Sequence, residues 1–123
     1  VQQLPPAAFL VYSEAIIIMG YQTFRRKSKP QLAKHIRFIA KSTASIFITV
    51  HAKKRMKQRR VTSQEVYECL QLGQIVREPE VNQEKESLEC LMERYVSGRQ
   101  LGVVVALCDE DPDAIVVTVF EIS

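Results

Sequence analysis

Acidic side chains are missing altogether from residues 25–60, a stretch holding thirteen lysines and arginines, whereas residues 61–123 carry thirteen acids against four bases. A domain polarised in this way can attract a polyanion on one face while its acidic remainder limits indiscriminate sticking. The alternative is that the two regions neutralise each other in the fold. Cysteine is scarce. Cys69, Cys90 and Cys108 are odd in number and lack metal-like CxxC spacing, so they read as reduced thiols of a cytosolic protein. Cys69 and Cys108 sit in apolar runs, where a thiol is inert packing, and a cysteine-protease reading finds no support. Also absent are GxxxxGK[ST], GxGxxG and HExxH, which removes nucleotide-triphosphate, dinucleotide and zinc-protease readings. No apolar run reaches bilayer length: AAFLVYSEAIIIMG, residues 7–20, is too short and carries Ser13 and Glu14 in its middle. It lacks the flanks of a signal peptide, so no stable membrane insertion is expected.

What is present suffices for one core, since 123 residues at 46% hydrophobic can fold without cross-links. The chain opens on Val and is read as a fragment, a processed product or a trimmed form. Residues 1–45 are expected to form an N-terminal helical segment and 46–123 an α+β domain. In the first part, Pro5, Pro6 and Gly20 bracket a buried helix over 7–20. Leu32, Ile36 and Ile39 predict a second over 29–41, with Lys34, Arg37 and Lys41 on its other side and His35 solvated. Between them FRRKSK reads as an exposed turn.

From residue 46 the signals sharpen. IFITV predicts a short strand ending at His51. A turn or two of helix is expected next, with His51, Arg55 and Arg59 along one face, a row of like charges that something outside the helix should compensate. Thr62 as cap, Glu65 three residues on, and Val61 stapled to Val66 predict a further helix, ended by Gly73 in a left-handed conformation. QIVRE, LMERYV, LGVVVALC and AIVVTVF read as strands, with the acidic PEVNQEKESLE as a connection. The last two are apolar enough to be covered on both faces, one by helices and one by the N-terminal segment or a partner.

The ordered set His51, Ala52, Arg55, Met56, Arg59, Val61, Glu65, Val66, Leu70, Gly73 and Ile75, followed by RYVSGRQLGVVVAL and IVVTVFE, resembles a small family of bacterial domains of otherwise unknown function. The resemblance covers about residues 46–122. That family is similar to the superfold of barnase, EndoU, certain colicin ribonucleases and RelE-type toxins. The resemblance implies one or two helices on a four- or five-stranded, mainly antiparallel sheet. It also implies metal-independent RNA cleavage to a 2′,3′-cyclic phosphate with no cofactor, as the toxin of a toxin–antitoxin pair or the C-terminal part of a secreted toxin. Such a protein acts in the bacterial cytoplasm.

The chemistry can be weighed from the residues themselves. RNA cleavage without metal needs a base for the 2′-hydroxyl, an acid for the leaving oxygen, and cations for the phosphorane. His51 is the natural acid or base, because an imidazole ordinarily titrates near pH 6.5. Arg55 and Arg59 are the candidate bidentate phosphate ligands, and Lys53, Lys54, Lys57 and Arg60 the general RNA contacts. Arg94 and Thr118 are expected opposite His51 across the sheet. Each has an ordinary alternative: His51 as a structural hydrogen-bonding residue, Arg94 paired with Glu89 or Glu93, Thr118 as a strand former. No exposed aromatic cluster for reading bases is evident, and Tyr95 and Phe120 read as core. The competing function is a nucleic-acid- or protein-binding module without catalysis. Expected partners are RNA, an acidic immunity protein or antitoxin over Arg55 and Arg59, and a second copy through the N-terminal helix.

Overall fold

The computed structural model describes residues 21–110 and 115–122; in the final strand side chains are described only at Ile115 and Val117. The helix expected over 7–20 therefore lies outside the described residues. In chain order the elements are α1 (Gln22–Arg25), α2 (Lys29–Ile39), a 3₁₀ turn (Thr43–Ser45), β1 (Ile46–Ile48), α3 (Val50–Arg59), α4 (Ser63–Leu72), β2 (Gln74–Ile75), β3 (Glu80–Asn82), β4 (Ser87–Val96), β5 (Arg99–Leu107) and β6 (Ile115–Ile122). The class is α+β, with helices on a mainly antiparallel sheet.

The sheet runs β1-β6-β5-β4-β2, with β3 also pairing β4. Among the described strands only β1 and β6 are parallel, joined at Ile46/Ile115, Phe47/Val116 and Ile48/Val117. β4 and β5 form the central hairpin across the two-residue loop Ser97–Gly98, whose φ values of 52° and 83° suit the twist of a tight hairpin. Alternate residues Leu88, Cys90 and Met92 of β4 and Leu101, Val103, Val105 and Leu107 of β5 point into the core. On the other face Leu91, Val104 and Ala106 are half-buried and Tyr95 is exposed, so Tyr95 is not the core residue expected.

Residues 21–45 are built into this core. Tyr21, Phe24, Leu32, Ala33, Ile36, Ile39 and Ala40 share one apolar cluster with the strands and with α3 and α4. Polar ties reinforce them: Arg37 donates to the Gly73 carbonyl at 2.9 Å and Gln71 donates to that of Ala40 at 2.8 Å. Within the supposed exposed turn Phe24 is buried, its ring 4.9 Å from that of His35, which is half-buried rather than solvated.

Local capping explains where helices begin. Ser28 and Gln31 bond reciprocally at the start of α2, and Thr62 and Glu65 do so at the start of α4. Gly73 is needed for a different reason from the one expected. Its backbone is extended (φ −77°, ψ −178°), but a Cβ there would collide with the Cys69 carbonyl and lie 2.9 Å from that of Glu93. The sequence PEVNQEKESLE is not a plain connection: Glu80–Asn82 pairs with Ser87–Glu89, extending β4 four residues earlier than its apolar run.

Candidate nucleic-acid interface

β1 stops at Ile48, and Thr49 begins α3 by accepting the Ala52 N–H on its hydroxyl at 3.1 Å. Ala52 and Met56, four residues apart, are the buried stripe that docks α3 over β6. The remaining positions are polar by elimination, so His51, Lys53, Lys54, Lys57, Arg59 and Arg60 are exposed and Arg55 is half-buried. His51, Arg55 and Arg59 follow one another at about 6 Å intervals along the axis.

Two devices hold the far end of this helix. Arg60 adopts the left-handed conformation (φ 56°, ψ 46°), which lets the Val61 N–H return to the Met56 carbonyl at 2.9 Å. Arg99, from the central hairpin, then donates to the carbonyls of Arg59 at 3.1 Å and Arg60 at 2.7 Å. Its guanidinium meets Glu65 at 3.3 Å, and Glu65 closes on the Thr62 N–H at 2.8 Å. The hydrogen bond from the Thr62 backbone, aided by the Thr62 and Ser97 side chains and the Arg99 charge, holds the Glu65 carboxyl below its ordinary value against the opposing effect of burial. Arg99 also meets the negative end of the helix dipole. Sequence reasoning missed Arg99. Its only local signal is a glycine–arginine turn, and the distance to α3 is set by the hairpin.

Among the described residues, the cations of α3 have no local counter-charge: no carboxylate lies within ion-pair distance of Lys53, Lys54, Arg55, Lys57, Arg59 or Arg60. Between the basic and acidic halves, the ion pair among described residues is Lys29–Glu78 at 2.8 Å. Mutual neutralisation among the described residues therefore does not account for this helix.

Arg94 is not brought to His51. It lies on β4, its Nε 3.5 Å from Glu68 and its terminal nitrogen donating to the Leu72 carbonyl at 3.4 Å. Three strand spacings, about 14 Å, separate β4 from β1. Its carboxylate partner belongs to α4 rather than to neighbouring Glu89 or Glu93. Thr118 is nearer in backbone terms. Val105 pairs Val117 and Val104 pairs Val119, so Thr118 is the extra residue of a bulge in β6. It directly follows Val117, whose carbonyl accepts the Thr49 N–H at 3.1 Å.

The thiols are of two kinds. Cys69 and Cys90 are fully buried, and burial pushes each up to about 12. Cys69 donates to the Met92 carbonyl at 3.3 Å. Cys108, expected as inert packing, is instead half-exposed at the end of β5. No group of three or more ligating side chains among the described residues could hold a metal ion, and no helix among them is long and apolar enough to cross a membrane.

Residues 48–121, from the end of β1 to the last strand, match the model of a domain of unknown function, DUF4258. The chain belongs to that family. No curated protein and no solved structure matches it.

Proposed function

We propose that α3 binds the phosphate backbone of RNA and that the domain cleaves the bound strand without a metal, as a ribonuclease toxin. One observation carries the reading: a helix fixed at both ends presents, with Arg60 just after it, six cations that no described carboxylate neutralises, beside an exposed histidine. A rigid cationic row pre-positions phosphate contacts at little entropic cost. In this reading Arg55 and Arg59 grip one phosphodiester and stabilise its added charge; as the 2′-oxygen bonds to phosphorus and the P–O5′ bond breaks, the accessible His51 either takes the 2′-hydroxyl proton or gives one to the leaving 5′-oxygen, and water carries the other transfer. Arg94 leaves the proposed set, and the Thr118 backbone stays beside the helix start. A producer of such an enzyme needs an acidic inhibitor over Arg55 and Arg59, and the site of action is the bacterial cytoplasm, reached through a toxin–antitoxin pair or secreted delivery.

A second reading, a binding module without catalysis, is favoured by the engagement of Arg94 with Glu68 and Leu72, which removes one of the cations expected to stabilise the phosphorane and leaves His51 without that partner. Total RNA incubated with the purified domain in chelator decides between them. The nuclease predicts new 2′,3′-cyclic phosphate ends, and His51→Ala abolishes them while affinity for RNA changes less than about threefold. Intact RNA that is nevertheless retained by the wild-type domain would establish the binder.

A further inference from the structure

The outward side of α2 carries a second constellation. Leu32, Ala33, Ile36 and Ile39 form its buried side. Opposite them, Gln31, Lys34 and Phe38 follow at spacings of three and four in one row, flanked by Lys27 before the helix and Lys41 after it. Phe38 is the anomaly, being 69% exposed.

A lone apolar side chain on a surface needs no explanation. Phe38 differs because two hollows meet at its ring. One, about 330 Å³, is lined by Lys27, Gln31, Lys34 and His35. The other is lined by Ile39, Lys41, Ser42 and Ser45. The Lys41 ammonium lies 5.6 Å from the ring centroid, so the ring already serves as a platform for charge. Among the described residues neither Lys34 nor Lys41 has a carboxylate partner. An apolar peptide docked here would leave the ammonium groups unmatched, and a bare phosphate would leave the ring unused. A strand with unpaired bases matches both, because its flat apolar faces alternate with anions.

We propose that Phe38 is a base-stacking platform for single-stranded RNA, with Lys34 and Lys41 holding phosphates on either side of it. This rests on RNA being the partner and adds a contact site, on a different helix from α3, that selects unpaired strand. A duplex keeps its bases stacked inward and offers this surface only phosphates.

The chain contains no tryptophan, so Phe38→Trp installs a unique fluorophore. Titration with a 2′-O-methyl uridine oligomer, which cannot be cleaved, should quench that fluorescence saturably, whereas a blunt duplex of equal length should not. Phe38→Leu keeps an apolar side chain without the flat ring and should weaken single-strand binding between about fivefold and a hundredfold. Unquenched tryptophan, equal quenching by duplex or by an acidic peptide, or unchanged affinity in Phe38→Leu would overturn the platform. The two proposals fail separately. Cyclic-phosphate ends together with unchanged Phe38→Leu affinity remove the platform and spare the nuclease; quenching without cleavage does the reverse.

Discussion

Glu65 does two jobs at one position. It closes the capping box of α4 and anchors Arg99, which in turn covers the last carbonyls of α3. Its folded-state value lies below the ordinary 4.5, so its stabilisation is complete above that value and disappears as pH falls through the lowered one. Thermal unfolding followed from pH 7 to pH 3 should show the midpoint falling below about pH 4.5, and Glu65→Gln should flatten that decline while costing about 1 kcal/mol at neutral pH. The thiols give a second test at this scale. Brief alkylation at pH 7.5 should label Cys108 alone, with Cys69 and Cys90 reacting only after denaturant, because burial opposes their thiolates. Mass spectrometry of the peptides reads both classes.

At the scale of elements, α3 has a good beginning and a strained end. Thr49 caps it, but Arg60 occupies a left-handed conformation that disfavours any side chain with a Cβ. Arg60→Gly should therefore raise unfolding free energy by about 1 kcal/mol in urea titration, while removing one cation from the basic row. Helix starts were legible in the sequence because a cap and its partner stand three residues apart, as Thr62 and Glu65 do. The apolar cores of β5 and β6 were legible for a similar reason, their runs being unbroken. β3 was not, since Glu80–Asn82 is polar and becomes a strand only by bonding to the edge of β4. Gly73 misled because its constraint is the approach of two carbonyls, that of Cys69 in the preceding turn and that of Glu93, twenty residues away in sequence. On the candidate site, the row His51, Arg55, Arg59 followed from helical spacing alone. The destination of Arg94 did not, because it depends on how α4 crosses the sheet. Phe38 was visible only as a residue off the Leu32, Ile36, Ile39 stripe.

At the scale of the molecule, most charge among the described residues of the basic and acidic halves is separated rather than paired. The acids of Glu78–Glu93 lie along the β2–β4 side, and α3 rides over β6 and away from them. Affinity for single-stranded RNA should accordingly fall steeply with salt. Replacing Lys53, Lys54 and Lys57 together by Gln should flatten the slope of log affinity against log salt by about 0.7 for each phosphate that is no longer neutralised. Fluorescence anisotropy at several salt concentrations measures it, and an unaltered slope would place the RNA elsewhere.

The parallel pairing of β1 with β6 ties residues 46–48 to 115–117. A ribosome making this polypeptide supplies the strand beneath α3 only after more than fifty further residues, several seconds later at roughly 5–20 residues per second. Until then Ala52 and Met56 have nowhere to settle. Whatever the docked helix does is thus withheld from the nascent chain until β6 has been made.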